Sequence, residues 1–339
     1  MRTLSHSPHA ERASLSGGTL GVTALTALAP AGWGTTYLIT TEFLPSGHPS
    51  GSGVIRALPA GLILLALTRK LPRDEWLWRA LLLGALNIGA PFALLFVAAQ
   101  HLPGGVAATL FAVQPLLVVG LALLLLGEKP TRWRLGWGVA GVLGVGLIVL
   151  RGQLSFGLPG VLAGIAAAGV MAGGIVLTKR WGRPEGVGAT TVAGWQLTAG
   201  GLVLVPFALA FEGLPPGLDA RAIGGYAWLA GVGALLSYPV WFHGIGKLPV
   251  VAVSFLPLLS PVVATILGGL WLGETLTPWQ CVGFVLALTA VTAGQLTPST
   301  VRNLVRVPAP RNGAQKAPGG RPPAPGAPPA GGNTPQQWP

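Results

Sequence analysis

Residues 110–133 of this 339-residue chain return 146 positions later as residues 256–279. Leu110, Pro115, the triplet Leu126-Gly127-Glu128, Thr131 and Trp133 reappear as Leu256, Pro261, Leu272-Gly273-Glu274, Thr277 and Trp279. Earlier pairs extend the match at a spacing of 140: Gly34 with Gly174, Arg56 with Gln196, Gly61 with Gly201, Leu62 with Leu202, and Leu64 with Leu204. Phe96 with Phe242 and Leu102-Pro103 with Leu248-Pro249 already stand 146 apart, so the six extra residues belong in the loop around residues 212–219. Each copy holds five apolar runs of membrane length, which takes about 20 residues per helix. Five is odd, so the second copy must cross a bilayer in the opposite sense to the first. Inverted repeats of that kind are an architecture of membrane transporters.

The composition requires a membrane. Hydrophobic residues make up 51% of the chain and charged ones only 9%, too little polar surface for a soluble domain. The ten apolar runs lie near 19–41, 53–70, 78–100, 104–126, 133–151, 157–178, 189–211, 222–245, 249–272 and 278–297. The expected fold is an all-α integral membrane protein, ten transmembrane helices in two inverted five-helix repeats. Its parts are an N-terminal tail (1–18), a first repeat (19–151), a second repeat (157–297) and a C-terminal tail (298–339). The first 18 residues lack a short apolar core with a small-residue cleavage site, so the first helix reads as a retained span.

A net charge of +12 would suggest nucleic acid in a soluble chain, but no nucleic-acid-reading motif accompanies it. The placement of the charges gives their meaning. With the N-terminus inside, all 21 basic residues except Arg56, Arg151 and Arg221 fall on one side of the membrane. The positive-inside rule therefore predicts a plasma-membrane protein with both termini in the cytoplasm. Residues 298–339 contain 11 of the 31 prolines and no apolar periodicity, the composition of a disordered tail. Cys281 is the only cysteine, which rules out an intramolecular disulfide and reads as a small buried hydrophobe.

Polar residues inside apolar runs are the candidates for function. Both copies place a polar residue directly before a proline, Gln114-Pro115 and Ser260-Pro261. Proline removes a backbone hydrogen bond and crowds the carbonyl four residues back, and a carbonyl freed in hydrocarbon must find a donor. Pro115 and Pro261 are thus candidate helix breaks or gates, with packing kinks as the simpler reading. Thr35, Thr36, Asn87, Gln196 and Ser237 are also mid-span; an ordinary interhelical hydrogen bond, worth roughly 0.6 kcal/mol on average, would account for each one singly. Trp33, Tyr37, Trp195, Tyr238 and Trp241 lie deeper than the belt formed by Trp76, Trp78, Trp133, Trp181, Trp271 and Trp279. An aromatic cavity suits amphipathic or cationic organic solutes.

A mid-membrane charge costs at least about 2.5 to 3.5 kcal/mol on insertion scales. Arg56 either snorkels to the outer headgroups or binds an anion in a cavity. His243, near an inner helix end, is the candidate for proton coupling. Glu42, Glu128 and Glu274 sit at run ends, leaving no mid-span carboxylate for a proton relay. Small residues at helical spacing, among them Gly136, Ala140, Gly144, Gly160, Gly164, Ala168 and Ala172, read as packing seams, one of which could serve a homodimer contact.

The stretch 92–128, with Phe96, Leu102-Pro103, Ala107-Ala108, Pro115 and the terminal Leu-Gly-Glu, resembles the EamA domain of the drug/metabolite transporter superfamily. So does its second copy, through Phe242, Leu248-Pro249, Pro261 and Gly273-Glu274, and Trp33-Gly34-Thr35 and Arg56 fit the same pattern. The resemblance spans residues 19–297. It implies ten helices, a central cavity built mainly by the first four helices of each half, and alternating access. Residue by residue, it carries the cavity role to Trp33, Thr36, Arg56, Asn87, Gln114, Gln196, Tyr238 and Ser260. Gly173 stands where the first copy has Trp33, and Gln196 where it has Arg56, so the implied site is asymmetric.

The resulting expectation is a secondary transporter, by resemblance an exporter of small metabolites, amino acids or amphipathic organic compounds. It is not an enzyme and needs no cofactor or metal. No P-loop supports an ATP-driven pump, and the spans lack the clustered acids, histidines or metal ligands of an intramembrane enzyme. A passive channel or a lipid flippase on the same repeats stays open. The expected partners are a small-molecule substrate and the lipid bilayer, with no nucleic acid.

Overall fold

The computed structural model describes residues 8–45, 47–101, 112–149, 158–213, 218–271, 273 and 277–295. Every described residue in regular structure is helical. In chain order the helices are α1 (Pro8–Gly34), α2 (Thr36–Phe43), α3 (Pro49–Thr68), α4 (Glu75–Gly84), α5 (Ala90–His101), α6 (Gln114–Leu126), α7 (Arg132–Val149), α8 (Leu158–Trp181), α9 (Ala189–Phe211), α10 (Ala220–Ala230), α11 (Ser237–Lys247), α12 (Val250–Val253), α13 (Leu259–Trp271) and α14 (Pro278–Gln295). Six segments are long and apolar enough to cross a membrane: Pro49–Thr68, Glu75–Leu94, Leu158–Trp181, Ala189–Phe211, Ala220–Lys247 and Val250–Trp271. A shorter apolar helix, Gln114–Leu126, joins them. The tail from residue 298, Arg151, Leu102-Pro103, Ala107-Ala108 and Glu274 lie outside the described residues.

Local chemistry sets the helix ends. Pro49 opens α3 at a position where a missing N–H costs nothing. The recurring Leu-Gly-Glu triplet is a helix stop: Gly127 (φ 68°) and Gly273 (φ 64°) both take the left-handed conformation that only glycine adopts freely. After Gly127, the Glu128 N–H returns to the Ala122 carbonyl at 3.2 Å. The first apolar run is divided where a single span was expected: Thr35 keeps helical dihedrals, but its N–H turns to the Gly32 carbonyl at 3.2 Å, and α2 follows directly.

Two π-helical turns interrupt the third helix of each half, Ala85–Gly89 between α4 and α5, and Gly231–Leu236 between α10 and α11. They begin 146 residues apart, the spacing of the repeat. Each comes just before a proline, Pro91 and Pro239, which cannot donate to the carbonyl four residues back and crowds it. A wider turn relieves that clash, and Ser237 Oγ donates to the Val232 carbonyl at 2.6 Å. Such π turns concentrate at functional sites.

Close backbone approach holds the halves together. Helices α3 and α9 cross where a Cβ on Gly61 would lie 2.5 Å from the Thr198 nitrogen, and one on Gly201 2.9 Å from Leu58 Cβ. Gly61 and Gly201 stand 140 apart, as do Leu58 and Thr198, so the contact is reciprocal. Helices α7 and α14 repeat the arrangement with Gly144 against Ala287 and Gly141 against Ala290; Gly136, on the same helix, faces open space. Further packing sets α1 on α11 and α13, α8 on α5 and α6, and α9 on α11. Helix α9 also packs on α4.

The aromatic belt is partly built into the protein. Arg79 pairs with Glu75, and its guanidinium lies 5.4 to 5.6 Å from the rings of Trp76, Trp78 and Trp181. Trp195 Nε1 donates to the Lys70 carbonyl at 2.7 Å, and Trp133 Nε1 to that of Ala293 at 2.8 Å. Trp271 and Trp279 are exposed, as is Cys281, which was expected to be buried.

Candidate functional site

The two π turns carry the polar core. Asn87, in the first, is buried, and its Nδ2 donates to Gln196 Oε1 at 2.7 Å and to Thr178 Oγ1 at 3.1 Å. Gln196 is fully buried on α9, and Thr178 Oγ1 donates a hydrogen bond to the Gly174 carbonyl at 2.7 Å. These residues link the third helix of the first half to the first two helices of the second. Gly174 supplies the room, since the Asn87 amide lies where any larger side chain would sit.

The repeat equivalents form a second group. Arg56 on α3, 140 residues before Gln196, sends Nη2 to the carbonyl of Gly233 at 2.9 Å. Gly233 lies in the second π turn, 146 residues after Asn87. Trp33 Nε1 donates to the same carbonyl at 3.0 Å. The Trp33 ring centroid lies 5.4 Å from that of Tyr238 and 5.2 Å from that of Trp241. The Arg56 guanidinium carbon lies 5.6 Å from the Phe92 centroid. In each half, then, a polar residue at one position of the second helix reaches the π turn of the other half. In the first half that residue is a cation and its acceptor a backbone carbonyl; in the second it is an amide and its partner another amide.

The groups are incompletely satisfied. Asn87 Oδ1, Gln196 Nε2, Gln114 Nε2, Arg56 Nε, Thr36 Oγ1 and Thr198 Oγ1 are buried with no hydrogen-bond partner. Arg79 Nε and Arg134 Nε, outside these groups, are likewise unpartnered; a buried polar atom without a partner costs about 1 to 3 kcal/mol, so Asn87 Oδ1, Gln196 Nε2 and Arg56 Nε have capacity for a further partner within the two bonded groups. Arg56 is only 7% exposed, its guanidinium enclosed by protein. No carboxylate lies within ion-pair distance of it among the described residues.

The remaining candidates are placed as follows. Gln114 is buried at the start of α6, with Pro115 next to it in the first turn. Ser260 and Pro261 are half-buried in the first turn of α13, and the Ser260 carbonyl packs against Gly34 of α1. Each proline thus follows a local irregularity, the turn at residues 112–113 before α6 and the 3-10 turn Leu256–Leu258 before α13, the latter inside the segment Val250–Trp271. His243 is half-buried on α11 and joins neither group of hydrogen bonds. The Tyr37 side chain lies outside the described set. Sequence reading missed Thr178, Phe92 and Gly233; the repeat register that pairs position 87 with 233 was the available signal for the glycine.

Two stretches, residues 20–150 and 158–293, match the model of the EamA-like transporter family. The chain belongs to that family. It is 44% identical over 263 residues to protein PecM of Dickeya dadantii (strain 3937), covering 78% of this chain and 88% of that one. The inner membrane transporter YedA of Escherichia coli (strain K12) is 32% identical over 276 residues, with 78% and 88% covered. A probable terminal-alkyne amino-acid exporter of Streptantibioticus cattleyicolor is 27% identical over 222 residues, with 65% and 73% covered. The protein is therefore a multi-pass membrane transporter of the drug/metabolite superfamily, built from two EamA domains.

Proposed function

We propose that the chain is a plasma-membrane secondary carrier that exports small metabolites, amino acids or amphipathic organic compounds by alternating access. Ten spans form two five-helix repeats of opposite orientation, residues 19–151 and 157–297, with both termini in the cytoplasm. The solute binds between the halves, at a site drawn from Trp33, Thr36, Arg56, Asn87, Gln114, Gln196, Tyr238 and Ser260; the hydrogen bonds of Trp33, Arg56 and Gln196 to the two π turns support it. The observation that carries this reading is the paired hydrogen bonding across the repeats, Gln196 with Asn87 and Arg56 with Gly233. Equivalent residues bonding in exchange across an interface is what a twofold axis in the membrane plane produces, and carriers of this construction bind at that axis. The reciprocal glycine contacts at α3–α9 and α7–α14 support the same axis. The similarity to the probable terminal-alkyne amino-acid exporter supports the export direction. The unsatisfied buried atoms supply the differential contacts that a ligand needs to shift one conformation toward another.

The test compares small molecules inside and outside cells carrying the native chain, an empty vector, or Asn87→Ala with Gln114→Ala at matched membrane levels. The expected result is a solute enriched outside only with the native chain. Equal profiles for native and double variant, both differing from the vector, would refute this site.

A further inference from the structure

We propose that Arg56 is the receptor for the negative charge of the transported solute, and that this solute is a monoanion: a carboxylate carried on a flat apolar or aromatic body. The inference rests on the carrier reading above and reverses the preference for cationic solutes that an aromatic cavity alone suggests.

Three observations lead to it. A buried cation is normally neutralised by an acid, yet among the described residues Arg56 meets the Gly233 carbonyl, the Phe92 ring and the neutral Tyr238 phenol but no carboxylate, and its Nε has no acceptor. The described carboxylates all lie near helix ends, so the protein supplies no counter-charge at this depth. The other half shows what is missing. Opposite Gln196 the π turn presents the Asn87 side chain, whereas opposite Arg56 the equivalent position is glycine and presents none. The half that carries the charge lacks the side-chain acceptor that the neutral half has. A guanidinium fork offers paired donors that match a carboxylate edge.

The surroundings describe the rest of the solute. Trp33 and Phe92 are half-buried and flank the guanidinium, Trp33 through the shared Gly233 carbonyl and Phe92 through its ring. A planar apolar body bound at Arg56 would lie against them. One uncompensated cation balances one negative charge; a phosphate dianion would leave a second charge buried without a partner.

The test uses the full chain in nanodiscs of phosphatidylcholine, with radiolabelled indole-3-acetate and its neutral, nearly isosteric amide as probes. The acid is expected to bind about tenfold or more tightly than the amide, as a charge-assisted bidentate pair would give. Arg56→Gln should bring the acid down to the amide level, and Arg56→Lys should keep part of the preference. Gly233→Asn, which leaves the charge in place but gives Arg56 the internal acceptor found in the other half, should lose the preference as well. Equal binding of both probes, binding of neither, or a preference that survives in Arg56→Gln and Gly233→Asn would overturn the proposal. Loss of acid binding when a third of the lipid is replaced by phosphatidylglycerol would assign Arg56 to a lipid phosphate and overturn it too. Saturable export of a solute with no negative charge would refute this inference and leave the carrier reading standing.

Discussion

Gly61→Val should leave almost no folded protein. At this crossing an added side chain would meet Thr198 Oγ1 at 2.5 Å and also the opposing backbone, the Thr198 nitrogen at 2.5 Å and the Leu197 carbonyl carbon at 3.0 Å, and these backbone atoms cannot rotate away. Overpacking a core costs about 1 to 3 kcal/mol when side chains can adjust, and more when backbones must move. Helices in a bilayer associate through close packing and hydrogen bonds without a hydrophobic drive between them. Separating α3 from α9 would also pull Arg56 away from Gly233 and Gln196 away from Asn87. Fluorescence-detected size exclusion of the solubilised chain should show the monodisperse peak lost in Gly61→Val and in Gly201→Val. The neighbouring, lipid-exposed Leu62→Val should keep it. A native peak in both glycine variants would mean that α3 and α9 do not cross there.

Removing the Asn87 amide should act differently, with a small effect on stability and a large one on transport. Asn87→Leu deletes two interhelical hydrogen bonds, worth about 0.6 kcal/mol each on average in membranes, and leaves Gln196 Oε1 buried and unpaired. The thermal midpoint should fall modestly, while the export rate falls by about tenfold or more if these amides contact the solute in the transition state. The double variant Asn87→Leu with Gln196→Leu should recover part of the stability, because removing both partners leaves no orphaned group, and should stay transport-dead. A double-mutant cycle separates the two effects. Recovery of transport together with stability would reduce the pair to a packing contact.

Much of this arrangement was legible in the residues because the chain is written twice. The 140 and 146 spacings paired Arg56 with Gln196 and located the two Leu-Gly-Glu triplets, whose glycines prove to be left-handed helix stops. Positional depth singled out Asn87, Trp33 and Tyr238. Gly233 was not legible because its contribution is a carbonyl, which every residue has; what matters is that a π turn presents it. The π turns were hidden because Pro91 and Pro239 also fit an ordinary kink, and the choice between kink and wide turn is made by packing. Nothing in the sequence sets Thr178 apart, and it is the approach of α8 to the first π turn that brings the Asn87 amide to it. The interruption at Thr35 stands beside Gly34, which packs on Ser260 and Val263 of α13, a segment far away in sequence.

The central claim is that a solute crosses between the two halves by alternating access. It is tested most directly by counterflow in proteoliposomes containing the purified chain and loaded with the solute enriched outside expressing cells. The account predicts saturable uptake of labelled solute driven by unlabelled solute on the opposite side, absent in Asn87→Leu reconstituted at equal density. Flux that rises linearly with concentration and ignores the opposite side would instead describe a channel and contradict the account.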